Sequence, residues 1–184
     1  LTQLMRLQQV VAGSLKDSEG NAVILPNNRV KEVLNLLEET GSKVIIFAVF
    51  QTDIQELERA IGEKFGHDKV ASFYGLTSAA RREKVLDDFQ DEDSELRFFV
   101  SNPHTGGRGL TLTAADTMIF YSNSYDLELR LQAEDRIHRI GQTKSCTYVD
   151  LVVPGTVDEK ILESLRKKVK ISNEVLGEVK EWLV

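Results

Sequence analysis

Lys43-Val-Ile-Ile-Phe-Ala-Val-Phe50 is a strongly apolar run, and Gln51-Thr-Asp-Ile-Gln-Glu-Leu-Glu-Arg-Ala-Ile-Gly-Glu-Lys-Phe65 follows it without a linker. A short run rich in β-branched and aromatic residues, with no polar alternation, predicts a strand covered on both faces. In the second segment Ile54, Leu57, Ile61 and Phe65 recur at helical spacing, and Thr52 with Gln55 reads as a capping box. A doubly covered strand feeding directly into an amphipathic helix is the opening of a β-α-β unit.

The same alternation continues downstream. Val70 to Tyr74 predicts a second strand, and Ser78 to Phe89 a helix with Val85, Leu86 and Phe89 inward. Leu96 to Ser101 and Met118 to Ser122 predict two more strands, Asp126 to Arg139 a charged helix, and Cys146 to Val153 a fifth strand. Upstream, Val30, Val33, Leu34 and Leu37 mark a helix stopped by Gly41, and Leu1 to Leu15 has helical spacing. Thr156 and Glu159 read as a second capping box opening a helix to Val184. The expected fold is α/β: a parallel sheet of about five to six strands with helices on both faces. Helical appendages are expected at 1–26 and 155–184, around a central domain at 27–154. Ligands of such sheets bind at the carboxyl ends of the strands.

Composition narrows the function classes. Of 184 residues, 23 are Lys or Arg and 29 are Asp or Glu, a net charge of -6. That balance argues against coating a polyanion nonspecifically, so any contact with nucleic acid is expected to be local. One cysteine, Cys146, forms no internal disulfide, and three scattered histidines (His67, His104, His138) predict no metal site. No apolar run reaches a membrane span, so a soluble, intracellular, monomeric segment is expected. The chain opens inside a helix at Leu1, as an excised piece of a longer protein would.

Three short elements carry chemistry. Ser101-Asn-Pro-His-Thr-Gly-Gly-Arg-Gly-Leu110 places glycines where a strand ends, which lets backbone N–H groups approach an anion; a purely structural turn explains it equally well. Gln132, Arg136 and Arg139 are spaced to stack along one helical stripe, with Ile137 and Ile140 on another face. Paired guanidinium groups suit phosphate oxygens, although charged helices are commonly just solvated. Tyr74-Gly-Leu-Thr-Ser78 leads into a helix that Thr77 or Ser78 would cap, again a feature that favours anions. Cys146 reads as a small core residue, Asp116 as a cap or an arginine partner, and Trp182 as a terminal packing residue.

Together these elements resemble the second RecA-like lobe of superfamily two helicases and translocases, in the Swi/Snf branch. Val44 to Phe50 looks like the fourth motif, and Tyr74 to Phe89 like the segment after it. Gly106-Gly-Arg-Gly-Leu-Thr-Leu-Thr-Ala-Ala-Asp116 is similar to the fifth motif. Gln132-Ala-Glu-Asp-Arg-Ile-His-Arg-Ile-Gly-Gln142 resembles the sixth, the most specific of the set.

By that resemblance Arg136 and Arg139 are arginine fingers for an ATP γ-phosphate, and Gln132, Gly107 and Gly109 are nucleotide neighbours. Thr77, Ser78, Arg82, Ser101 and Asn102 belong to a DNA backbone track, with Lys144 as a lesser addition. The implied partners are double-stranded DNA and an N-terminal RecA-like lobe, which would hold most of the ATP and its Mg²⁺. The chain carries neither a Gly-x-x-x-x-Gly-Lys-Ser/Thr loop nor an Asp-Glu-x-His string, so the segment alone is expected not to turn over ATP.

Departures from the pattern are Tyr74-Gly75 for Asp-Gly, Tyr125-Asp126-Leu127 for Trp-Asn-Pro, and the bulky Arg108 between glycines. The short link between the fifth and sixth motifs suggests a bacterial or phage protein, cytoplasmic and nucleoid-associated, or nuclear if eukaryotic. The competing readings are a self-contained nucleotide-binding α/β domain and a noncatalytic docking module of the same fold.

Overall fold

The computed structural model describes residues 2–17, 19–25, 28–75, 77–105 and 110–182. The chain runs α1 (Thr2–Ala12), β1 (Ser14–Lys16), β2 (Ala22–Ile24), α2 (Arg29–Glu39), β3 (Lys43–Phe47), α3 (Gln51–Phe65) and β4 (Val70–Phe73). It continues as α4 (Ala79–Gln90), β5 (Phe98–Ser101), β6 (Ala115–Phe120), α5 (Leu127–Glu134), β7 (Thr147–Asp150) and α6 (Val157–Trp182).

Five strands form one sheet in the order β4-β5-β3-β6-β7, and every pairing is parallel. The first five residues of the apolar run at 43–50, Lys43–Phe47, are therefore the central strand, which stops three residues short of the expected end. Val44, Ile46 and Ala48 bury into one cluster with Val33, Leu37, Ile54, Leu57 and Ile61 from α2 and α3. Ile45 and Phe47 bury into the opposite cluster with Val85, Phe89, Ala133 and Ile137. Two apolar faces on one strand leave it no solvent side, so helices must cover both. A third cluster joins Val157, Ile161 and Leu165 of α6 to Leu4 and Val11 of α1.

Several expectations are corrected. The first helix stops at Ala12 rather than Leu15, because Gly13 (φ 100°) turns the chain into an antiparallel hairpin, β1–β2. The Thr52–Gln55 capping box does not form: α3 starts at Gln51 after Phe50, with no side-chain cap. Thr52 Oγ1 instead lies 2.7 Å from Ser14 Oγ, and Gln55 Nε2 donates to the Tyr74 hydroxyl at 3.2 Å. The fifth strand begins at Thr147, leaving Cys146 half-buried just before it, where burial pushes its thiol pKa up.

Asp116 lies in β6 and, among the described residues, caps no helix and holds no arginine; it accepts from Ser42 Oγ at 2.5 Å and Thr117 Oγ1 at 2.9 Å. At α6 the Thr156 hydroxyl accepts from the Asp158 N–H at 3.3 Å, a single cap rather than the expected box with Glu159. The Trp182 side chain lies outside the described residues. No helix among the described residues is long and apolar enough to cross a membrane.

Candidate functional site

The charged helix is shorter than its sequence implies. α5 ends at Glu134, and turns carry the chain from Asp135 onward. The single stripe of Gln132, Arg136 and Arg139 is therefore corrected, since only Gln132 stands on the helix. It is exposed and donates to Glu128 Oε1 at 2.8 Å. Ile137 and Ile140 do not share a face either: Ile137 is 0% exposed and Ile140 is 100% exposed. The tertiary environment explains the break. Ile137 drops into the core beside Ala133, and the backbone follows it out of the helical path.

The sheet register builds the seat for these arginines. Phe73, Ser101, Phe47, Phe120 and Asp150 pair in sequence across the carboxyl ends of β4, β5, β3, β6 and β7, so they form one row. Each phenylalanine of that row carries a guanidinium. Arg82 lies 5.6 Å from the Phe73 ring centroid, Arg136 5.2 Å from Phe47, and Arg130 3.5 Å from Phe120. A planar cation over an aromatic face gains from the ring quadrupole, more so when desolvated.

Arg136 is 6% exposed, and Nη2 donates to the Pro103 carbonyl at 2.8 Å. Nη1 is buried with no hydrogen-bond partner among the described residues. Burial without a carboxylate to offset it lowers the Arg136 pKa. An unsatisfied buried guanidinium N–H is costly, so one that persists is a candidate for a ligand contact. Arg139 is exposed, and its Nη1 donates to Thr111 Oγ1 at 3.1 Å. Gln142 Nε2 donates to the Ala115, Thr113 and Ile137 carbonyls at 2.8, 3.2 and 3.3 Å, fastening the turn from below.

The loop after β5 is gripped at both ends of its first turn. Arg136 holds Pro103, and Arg82 Nη1 donates to the Thr105 carbonyl at 3.4 Å. Arg82 Nη2 also donates to the Tyr74 and Gly75 carbonyls at 3.1 and 3.2 Å. Asn102 Nδ2 donates to the Val49 carbonyl at 2.5 Å, while its Oδ1 accepts from the His104 N–H at 2.8 Å. Ser101 is 0% exposed and donates to the Phe73 carbonyl at 3.1 Å. Its hydroxyl is sealed between two strand ends.

Thr77 Oγ1 accepts from the Tyr74 N–H at 3.1 Å, and Ser78, the exposed cap of α4, accepts from the Arg81 N–H at 3.4 Å. Gly107 and Gly109 lie outside the described residues. Lys144 is remote from this edge, 3.8 Å from Asp116 at the amino end of β6. Among the described residues no His, Cys, Asp and Glu cluster could hold a metal ion.

Sequence reasoning missed Arg130 and Arg29. Arg130 binds Glu134 and Asp150, each at 2.5 Å, and pins α5 to β7. Arg29 pairs with Asp158 at 2.5 Å and donates to the Tyr121 and Leu151 carbonyls, tying α2 and α6 to the ends of β6 and β7. Arg130 and Glu134 stand at i,i+4 spacing, a local signal the sequence did offer; Asp150 and all the partners of Arg29 lie far away along the chain, where no local window reaches them.

A five-stranded parallel sheet covered by helices on both faces, with three arginines over its carboxyl edge, defines a RecA-like lobe. The chain belongs to the helicase conserved C-terminal domain family, whose model matches residues 27–141. It is 34% identical over 149 residues to Protein CHROMATIN REMODELING 19 of Arabidopsis thaliana, covering 79% of this chain and 19% of that protein. It is 33% identical over 145 residues to the chromatin-remodeling ATPase INO80 of Drosophila melanogaster, covering 79% of this chain and 9% of that protein.

Among solved structures it is similar to the C-terminal part of the Fun30 ATPase domain. The TM-score is 0.68 and the identity 27%, over 77% of this chain and 48% of that one. The chain therefore spans less than a fifth of these two curated relatives. The relatives reported are eukaryotic, and they lend no support to a bacterial or phage origin.

Proposed function

We propose that this chain is the second motor lobe of an ATP-dependent translocase acting on double-stranded DNA, with Arg136 and Arg139 as its fingers toward the ATP γ-phosphate. The observation that carries this reading is Arg136. It is nearly sealed, seated on Phe47, bound to the base of the glycine loop, and left with one nitrogen that has no partner among the described residues. The membership of the helicase C-terminal domain family supports it. Phosphoryl transfer spreads charge over the γ-phosphate oxygens, and an arginine entering from another element contributes a factor of roughly 10³ to 10⁵ in rate.

In this reading an N-terminal RecA-like lobe grips most of the ATP with its Mg²⁺, while Gln132, Gly107 and Gly109 line the nucleotide cleft from this side. Thr77 and Ser78 contact the DNA backbone, and Arg82, Ser101 and Asn102 hold the loops that present it. The names of the chromatin-remodelling relatives support a nuclear location over a cytoplasmic one. The lobe acts as a monomer within its full-length chain.

Turnover measured on the isolated segment and on the full-length protein, each with and without duplex DNA, tests the proposal. DNA-stimulated hydrolysis by the full-length protein alone is expected. Comparable hydrolysis by the isolated segment would contradict a division of labour between two lobes.

A further inference from the structure

The site above makes no use of the carboxylate in the first turn of α3. Asp53 is 3% exposed. Its Oδ1 accepts from Ser14 Oγ at 2.8 Å, and its Oδ2 is buried with no hydrogen-bond partner among the described residues. Ser14 belongs to β1, and its hydroxyl also lies 2.7 Å from Thr52 Oγ1. One carboxyl group and two hydroxyls thus join the N-terminal hairpin to the amino end of α3. The joint is not close-packed: a cavity of about 290 Å³ beside it is lined by Ala12, Ser14, Leu25, Thr52, Asp53 and Tyr121. Elsewhere α1 is held by the Tyr121 hydroxyl donating to the Ala12 carbonyl at 2.7 Å and by Gln8 Nε2 donating to the Asn123 carbonyl at 3.0 Å.

The ionisable groups around Asp53 come from every packed element except the hairpin, which offers the Ser14 hydroxyl. Arg29 reaches it from α2, though Arg29 is already paired with Asp158 of α6. Tyr121 adjoins it from just after β6, with Glu56 of α3 and Asp158 acting on Tyr121 in turn. Burial dominates and pushes the Asp53 carboxyl up to about 7, against the opposing pull of Ser14, Arg29 and Thr52.

We propose that α1 with the β1–β2 hairpin is a latch on the amino end of α3, held while Asp53 is protonated and loosened as Asp53 ionises. Lifting Ser14 away exposes Asp53 to water and returns it toward the ordinary carboxylate range, so the docked form binds the proton more tightly. Linkage then requires docking to weaken as pH rises toward the docked value. Release uncovers the end of the central strand, because a second cavity of about 400 Å³ between hairpin and α3 is lined by Gln9, Leu15, Val49, Phe50, Thr52 and Gln55. The latch stands independently of the ATPase reading.

Amide-exchange protection factors in the full-length protein test it. Those of Gly13 and Leu25, whose N–H groups bond within this segment, are expected to fall about tenfold between pH 6 and pH 8. Those of Ile45 and Phe99 in the sheet hold constant. In Asp53→Asn the fall disappears. The carboxyl ¹³C shift of Asp53 in the unsubstituted protein supplies a readout that needs no variant, with an expected midpoint near 7. Protection that ignores pH, an ordinary carboxylate midpoint, or an undiminished fall in Asp53→Asn each overturns the latch.

Discussion

Arg136 Nη2 donates to the Pro103 carbonyl at 2.8 Å, which joins the sixth-motif segment to the base of the glycine loop through a single side chain. The backbone repeats the connection, since the Leu112 N–H donates to the Arg136 carbonyl at 2.9 Å. Both ends of the loop are therefore referred to one residue. A displacement of the loop must be felt at Arg136, and the reverse holds as well.

Phe47 is the first test of that coupling. Its ring lies under the Arg136 guanidinium at 5.2 Å from the centroid. Phe47→Leu keeps an apolar core residue and is expected to cost about 1–2 kcal/mol in stability by denaturant titration. If the ring also positions the arginine, kcat of the full-length enzyme falls by a larger factor than this destabilisation implies, with KM for ATP little changed. A kcat that simply tracks the folded fraction would reduce Phe47 to packing.

Arg29 and Asp158 form a buried pair at 2.5 Å, with side chains 5% and 11% exposed. Arg29→Met removes one partner and leaves an uncompensated carboxylate, so a loss of about 3–5 kcal/mol is expected. Asp158→Asn with Arg29→Met should recover part of that loss in a double-mutant cycle. Additive losses in the cycle would show that the two side chains do not act as a pair.

Asn102 ties the loop after β5 to the end of β3 through Val49. Asn102→Ala leaves the Val49 carbonyl and the His104 N–H without their partners, at a cost of about 1–3 kcal/mol. Duplex DNA affinity in the full-length protein should fall less than it does for Ser78→Ala, because Ser78 is exposed and Asn102 acts by holding a loop. The opposite order would move the DNA contact onto Asn102 itself.

Asp53 gives stability a pH slope. Its folded pKa of about 7 stands above the ordinary carboxylate value of 3.8, so the folded state binds the proton more tightly in that window. The contribution is fully present below about pH 4 and is lost as pH rises through about 7. Urea midpoints compared between the unsubstituted chain and Asp53→Asn should converge in slope above pH 7 and diverge below it. A slope that Asp53→Asn leaves untouched would assign the pH dependence to other groups.

Much of the sheet was legible because β3 has no polar alternation. Val44 and Ile46 face one cluster and Ile45 and Phe47 the other, a pattern with few alternatives. Helix faces at Ile54, Leu57, Val85 and Phe89 followed from spacing for the same reason. The end of α5 was not legible, because Arg136 and Ile137 leave the helix to reach Phe47 and the core, partners that lie far from them in the chain. The hairpin was missed because strands of three residues carry little pattern, though Gly13 (φ 100°) and Gly20 (φ 89°) bracket its first half. The arginine-over-phenylalanine row needs the register of five strands, which no local window contains.

The account rests on Arg136 reaching a triphosphate held by another lobe. The direct measurement is single-turnover ATP hydrolysis by the full-length protein with saturating duplex DNA, for Arg136→Lys and Arg136→Ala, with folding checked by circular dichroism. The account predicts a loss of roughly 10³ or more in the hydrolysis step for both, since a lysine lacks the planar fork. It also predicts duplex affinity within about twofold, because the finger addresses nucleotide and not DNA. Hydrolysis at the unsubstituted rate in a folded Arg136→Ala protein would contradict it.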